Sequence, residues 1–324
     1  MNFAIRFHST GGPEVLRWEE VPVAAPQPGE VLIRHGAVGL NFIDVYHRRG
    51  LYPLPLPAVP GLEGAGVVEE VGEGVEEVQP GQRVAYAGGP PGAYTQRRVI
   101  PAHRLVPLPD FVDDLTAAAV MVKGLTAWFL LRRTYPVKPG DTIVFHAAAG
   151  GVGLLACQWA ASLGATVIGT VGSEAKVELA RRHGCQHVLV LGRDDVPRRV
   201  KELTQGRGVP VVYDSVGRAT WEDSLECLAP LGLMVSFGNA SGPVPAFSPL
   251  VLAEKGSLFL TRPTLMTYTA QRADLLAGAH ELFAALEAGH VRLHLHRTYP
   301  LRDAAAAHRD LEERRTVGSS VLLP

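Results

Sequence analysis

The residues whose types and spacing most clearly invite chemistry are Ala147-Ala148-Ala149-Gly150-Gly151-Val152-Gly153. An apolar run, Thr142 to Ala147, comes just before, and a helical pattern, Leu154 to Leu163, comes just after. Glycine allows the tight turn, lets backbone approach a pyrophosphate, and lets helix and strand pack closely. The start of the helix then offers free N–H groups and a partial positive charge to phosphate oxygens. In a strand–turn–helix setting this loop reads as a dinucleotide site. The plainer alternative is a tight packing turn.

The next strand identifies the dinucleotide. A fold that binds NAD usually carries Asp or Glu about 20 residues on, to hold the ribose 2′-hydroxyl. Here that place reads Thr170-Val171-Gly172-Ser173-Glu174-Ala175-Lys176. Gly172 and Ser173 leave room where the acid would stand. Lys176, one helical turn along, offers a cation. A 2′-phosphate is repelled by an acid and attracted by this arrangement, so NADPH is expected over NADH. Glu174 counts against this unless it faces solvent. Lys176 also has a plain reading, a solvated helix residue.

These residues need elements to hold them. The chain has 324 residues with a net charge of −1. That balance gives no electrostatic footprint for nucleic acid or an anionic membrane surface. Residues 30–38, 66–71, 82–87 and 94–100 read as short strands parted by Gly and Pro turns. From about residue 115 the pattern changes, and nearly all-apolar strands alternate with helices. That alternation indicates a parallel sheet covered on both faces. The expected fold class is α/β: a doubly wound Rossmann domain plus a mainly β domain. The tail is too small to fold alone and is expected to pack back onto the first part. No uninterrupted apolar run of about 20 residues stands out, so no bilayer span is expected. The N-terminus shows no signal-peptide pattern, so a cytoplasmic protein is expected. Cys157, Cys185 and Cys227 are scattered and make neither a disulfide framework nor a metal motif.

The sequence resembles the zinc-free quinone oxidoreductases of the medium-chain dehydrogenase/reductase superfamily, the group that includes zeta-crystallin. The likeness rests on Asn41 to Tyr46, Arg49 to Pro53, Pro60 to Gly66, Lys123 to Thr126, His146 to Gly153, Tyr213 to Gly217 and Ser236 to Asn239. The resemblance implies a GroES-like catalytic domain over residues 1–120 and 262–324. It implies a Rossmann NADPH-binding domain over 121–261, with the cofactor in the cleft between. It also implies positions. Asn41 and Thr126 match residues near the nicotinamide ribose. Gly150, Gly151 and Val152 match the pyrophosphate loop; Gly172, Ser173 and Lys176 match the 2′-phosphate pocket. Ser215 falls in a matching cofactor segment. Phe237, Gly238 and Ser241, with Pro263 and Leu265, match backbone lining the nicotinamide. Arg314 matches a late basic contact. In one departure, Leu191 stands where related bacterial members carry Tyr beside the adenosine, and Arg193 is the nearby residue that can compensate.

Zinc-dependent relatives place a His ligand where this chain has Leu62, in Gly61-Leu62-Glu63. Leu62 cannot bind metal, and the four-cysteine lobe is missing, so no metal is expected. Oxidising an alcohol benefits from a metal that stabilises the alkoxide, whereas a quinone is already a strong acceptor. Tyr46 and Tyr52 follow Asn41 and are the catalytic candidates, as proton donors or as orienting groups for a carbonyl. Their alternative role is as amphipathic walls. Asn41 can also cap the following helix. The resulting expectation is an NADPH:quinone reductase, acting as a homodimer without membrane or nucleic-acid partners. The alternatives are an NADPH-dependent alkenal or enoyl reductase, or a non-enzymatic NADPH-binding protein.

Overall fold

The computed structural model describes residues 1–324 as two compact units. The first comprises Met1–Leu125, Thr269–Glu287 and Leu293–Pro324; the second comprises Thr126–Tyr268 and Ala288–Arg292.

The elements of the first unit begin with β1 (Phe3–Arg6), β2 (Arg17–Glu20), β3 (Glu30–Gly39) and α1 (Phe42–Arg49). They continue with β4 (Glu63–Val71), β5 (Arg83–Ala87), β6 (Arg97–Pro101), β7 (Val106–Pro107) and the start of α2 (Asp114–Trp128). Six strands of its seven-stranded sheet run in the order β14-β15-β3-β4-β5-β7, and β6 also pairs with β3. Here β14 is Leu295–Pro300 and β15 is Ser319–Leu323. The pairings among β3 to β7 are antiparallel, and β15 joins β3 antiparallel through Val321–Gly39 and Leu322–Val38. β14 and β15 run parallel. The register shifts between Leu295 and Arg297, so strand alternation is broken at His296. A core of Ile5, Phe7, Val31, Ile33, Val84, Tyr94 and Ile100 holds the sheet together with Leu301 and Leu322.

The second unit carries β8 (Thr142–Phe145), α3 (Gly151–Ser162), β9 (Thr166–Val171), α4 (Val177–Arg182) and β10 (His187–Val190). It goes on through α5 (Val196–Leu203), β11 (Val209–Asp214), α6 (Trp221–Cys227), β12 (Leu228–Ser236), α7 (Leu250–Glu254), β13 (Phe259–Thr261) and α8 (Leu265–Tyr268). The remaining helices, α9 (Arg272–Glu287) and α10 (Ala304–Glu312), belong to the first unit. The six strands are parallel in the order β10-β9-β8-β11-β12-β13. This is the doubly wound order, which reverses between β8 and β11; ligands of such sheets bind beyond the carboxyl ends of the strands near that reversal. Val144, Ile168, Val212, Trp221 and Met234 form the core beneath.

One expectation needs correcting. The helix from Asp114 to Thr134 is long and apolar enough, by length and composition, to cross a bilayer. Its small residues, Ala117 to Ala119 and Gly124, and the single Lys123 disguise it in the sequence. Most of it is buried against protein, as in the core helix of a globular fold.

Candidate functional site

The carboxyl edge of the parallel sheet gathers most of the candidate positions. After β8 the chain turns through Ala147, whose φ of 54° is unusual for alanine. Gly150 is the extended N-cap of α3 and no side chain caps the helix. A Cβ on Gly153 would lie 2.3 Å from the Ala147 carbonyl oxygen. Glycine is therefore what lets α3 start so close to the turn. The result is an uncapped helix start at Gly150, Gly151 and Val152, with the polarity that suits a phosphate.

After β9, Gly172 stands in the open, and a Cβ there would meet nothing within 4 Å. Ser173 and the tight turn Glu174–Lys176 follow, with Lys176 half-buried. Glu174, the acid that counts against a 2′-phosphate, is ion-paired to Arg193. Arg193 also holds Asp194 at 2.9 Å, and Asp194 in turn accepts the Val190 N–H at 2.7 Å. Arg193 thus draws Glu174 into an ion pair, with Asp194 on the same guanidinium. Leu191 packs against the apolar core of the unit.

Ser215 follows β11, and Phe237 and Gly238 follow β12. A Cβ on Gly238 would meet the Ser215 carbonyl oxygen at 2.4 Å, so these two loops touch only because residue 238 is glycine. The Ser241 hydroxyl donates to the Val216 carbonyl at 2.8 Å and accepts the Ala219 N–H at 2.9 Å, which ties the same loops together. Pro263 and Leu265 follow β13. Thr126 is buried in α2, in the second unit.

Asn41, Tyr46, Tyr52 and Arg314 lie in the first unit. Asn41 is the N-cap of α1, and its N–H donates to Asp44 Oδ2 at 2.9 Å. Its side-chain nitrogen donates to Glu63 Oε2 at 2.7 Å. The same oxygen accepts from Lys123 Nζ at 2.9 Å, and Glu63 Oε1 accepts the Val122 N–H at 2.6 Å. A Cβ on Gly39 would lie 2.1 Å from Glu63 Oε2, so this buried ion pair needs a glycine beside it. Tyr46 and Tyr52 meet edge to face at 5.3 Å, and Phe42 packs on Tyr46 at 5.5 Å. Arg314, on the turn after α10, is exposed and has a φ of 58°.

Burial reshapes the titration of this unit. It pushes the Asp44 carboxyl up from 3.8 to about 7, against the pull of the Asn41 N–H and the Tyr94 hydroxyl. Asp44 Oδ1 has no partner at all. Tyr94 OH lies 3.0 Å from Asp44 Oδ2 and 3.0 Å from His308 Nε2. His308 Nδ1 faces Arg48 Nη1 at 3.0 Å, and Arg48 reaches Glu312 at 2.8 Å. Sequence reading does not single out Glu63, Lys123, Asp44 or His308 as a site. Their only signal is charge inside otherwise apolar or glycine-rich segments.

Metal ligation finds no support in the donor set. No group of three or more His, Cys, Asp or Glu is placed to hold an ion. Leu62 is buried and has no donor atom. All three cysteines are buried, and contact with Cys185, then burial, holds the Cys157 thiol well above its ordinary value. Zinc sites need about three or four ligands, so the residues present do not fit one.

Comparison with known proteins agrees with this geometry. Residues 151–284 match the family described as zinc-binding dehydrogenase, and residues 27–110 match the alcohol dehydrogenase GroES-like domain. A quinone oxidoreductase of Pseudomonas aeruginosa is 54% identical over 99% of both chains. A 2-haloacrylate reductase of a Burkholderia species is 46% identical over 100% of this chain and 99% of its own. The crystal structure of Escherichia coli quinone oxidoreductase complexed with NADPH superposes with a TM-score of 0.98 at 48% identity, covering 99% of this chain and 100% of that one.

Proposed function

The chain belongs to the quinone oxidoreductase family of the medium-chain dehydrogenases/reductases, and from that membership we propose that it reduces quinones with NADPH and without zinc. The observation that carries this reading is the corner after β9. It has no acid at Gly172 and Ser173, Lys176 half-buried beside them, and Glu174 held by Arg193. NADPH, when bound, supplies a hydride. The protein's share is to hold and orient it. Gly150, Gly151 and Val152 take the pyrophosphate on the helix start. Ser173 and Lys176 take the 2′-phosphate, and Arg193 keeps Glu174 from opposing it. Ser215, Phe237, Gly238, Ser241, Pro263 and Leu265 line the sheet edge along the rest of the dinucleotide.

Asn41, Thr126 and Arg314 are proposed as further cofactor contacts. Tyr46 and Tyr52 are proposed for the acceptor, as an edge-to-face pair of rings whose hydroxyls are candidate proton donors. A quinone needs no Lewis acid to accept a hydride, consistent with Leu62 in place of a ligand. Alcohol oxidation is disfavoured, since the residues present do not fit a zinc that would stabilise the alkoxide.

A homodimer is part of the proposal. β13 is the edge strand of its sheet, and the residues around it include the exposed Phe259 (61%), Leu231 (67%) and Leu250 (68%). An exposed apolar sheet edge favours pairing with a second copy. We place the enzyme in the cytoplasm, with no membrane or nucleic-acid partner.

A second reading has one observation in its favour. The Burkholderia relative is named for reducing an activated alkene. Turnover of NADPH with a panel of small quinones, set against alkenals and enoyl thioesters, separates the readings. Fast quinone reduction with slow alkene reduction supports the first; the reverse supports the second. NADPH binding without any turnover would leave a non-enzymatic binding protein.

A further inference from the structure

Beneath the carboxyl edge of the parallel sheet runs a line of buried polar side chains to which the proposed function gives no role. Thr170 is the last residue but one of β9, His146 follows β8 and Asp214 ends β11, three strands that are neighbours in the sheet. Ser224, in α6, completes the line, and all four are buried. His146 Nδ1 lies 2.8 Å from Thr170 Oγ1, and its Nε2 lies 3.0 Å from Ser224 Oγ. Ser224 Oγ donates to Asp214 Oδ2 at 2.8 Å, and Thr220 Oγ1 donates to the same oxygen at 2.7 Å. The other oxygen of Asp214 accepts the N–H groups of Val216 at 2.7 Å and Gly217 at 3.0 Å.

Chemistry orders the protons. A carboxylate only accepts, so Ser224 commits its single hydroxyl hydrogen to Asp214. Ser224 Oγ must then accept from His146, which places the ring hydrogen on Nε2. His146 Nδ1 is left as an acceptor and takes the hydroxyl hydrogen of Thr170. Burial lowers the pKa of the ring against the pull of Asp214 and keeps it neutral, as this pattern needs. A Ser-His-Asp nucleophile site has the opposite polarity, with His accepting from Ser, so this cluster activates no nucleophile.

We infer that Thr170, His146, Ser224 and Asp214 form a positioning line that fixes the loops facing the dinucleotide, and so sets NADPH affinity rather than the rate of hydride transfer. The inference rests on the reading of this edge as the NADPH site. His146, Thr170 and Asp214 stand at or beside the strand ends that lead into the loops of that edge, and Ser224 in α6 ties His146 to Asp214. His146 precedes Ala147, whose left-handed backbone persists only if its surroundings hold it. The main chain adds two ties, Ala148 N–H to Thr170 O and His146 N–H to Tyr213 O, both 2.9 Å. Thr170 stands two residues before Gly172. Asp214 precedes Ser215 and fixes the next two N–H groups.

The test is NADPH titration of Thr170→Val, Thr170→Ser and Ser224→Ala. It is read beside thermal unfolding without cofactor, kcat at saturating NADPH, and nitrogen NMR of His146 in the wild type. Thr170→Val keeps the shape and removes the donor to His146. It is expected to weaken NADPH about tenfold, the usual scale for one buried hydrogen bond lost. Thr170→Ser restores the donor and is expected within about threefold of wild type, with kcat for both variants also within about threefold. Should Thr170→Val fail to fold, Ser224→Ala breaks the line at its next link and is read the same way. NMR is expected to show the neutral Nε2–H tautomer at neutral pH. A lowered unfolding temperature with unchanged NADPH affinity would overturn the inference, as would an Nδ1–H or imidazolium ring. Wild-type protein that binds no NADPH would sink the functional reading and the affinity role together, and the tautomer measurement tells that failure apart from a missing line.

Discussion

Single residues carry the claim of cofactor choice. Lys176 stands beside the open Gly172 and Ser173, and only NADPH offers it a 2′-phosphate. Lys176→Ala is expected to weaken NADPH by about 1.5–3 kcal/mol, or roughly 10- to 150-fold, and to leave NADH nearly unchanged. Equal losses in a titration of both cofactors would make Lys176 structural. Residue-scale physics also sets a pH dependence in the first unit. Burial, more than anything else, lowers His35 and His308 from 6.5 to about 3. The unfolded chain takes up protons at both below pH 6.5 while the folded chain does not, so their stability contribution is lost as pH falls through that window. Asp44 works the other way. Raised to about 7, it holds a proton that the unfolded chain releases above 3.8, so its contribution is lost as pH rises between those values. Asp44→Asn therefore removes the opposing contribution. Chemical denaturation across this range is expected to show a steeper loss on acidification for the variant than for wild type; parallel curves would contradict the assignment.

At the scale of elements, the start of α3 is the tightest constraint. Gly153→Ala puts a methyl 2.3 Å from the Ala147 carbonyl, which the helix can relieve only by moving away from its loop. Overpacking of this kind costs about 1–3 kcal/mol, so a lower unfolding temperature and weaker NADPH binding are expected together. Gly172→Ala meets no neighbouring atom within 4 Å and is expected to hold stability within about 0.5 kcal/mol. Equal destabilisation by the two would refute the close approach of helix and loop. The elements themselves are largely legible in the sequence. Strands such as Thr142–Phe145 and Val209–Asp214 are short and almost wholly apolar, as a buried parallel sheet requires. Less legible is the start of β6. Tyr94 to Gln96 read as strand but are spent on β1, through the Tyr94 carbonyl to Ile5 and the Ala4–Thr95 bridge. The membrane-length helix escapes sequence reading because its apolar run is broken by Lys123 and Gly124 and ends at Arg132 and Arg133. Glu63 with Lys123, and His146 with Asp214, are not legible as pairs. A buried charge or imidazole acquires a role only from partners distant in sequence, and a single sequence does not reveal them.

At the scale of the whole molecule, three features belong together: a glycine-cradled parallel sheet, a corner suited to a 2′-phosphate, and a GroES-like unit with no zinc donor set. If the β13 edge pairs two copies, Phe259→Glu should shift the protein from dimer to monomer in sedimentation; an unchanged mass would move the interface elsewhere. The most direct test of the central claim is a rate measured on chelator-treated protein whose metal content has been determined. With NADPH and a small benzoquinone, such protein is expected to retain its full rate, to run far more slowly with NADH, and to oxidise simple alcohols poorly with NADP⁺. Activity that disappears with the metal and returns with zinc, or a quinone rate that does not distinguish NADPH from NADH, would contradict it.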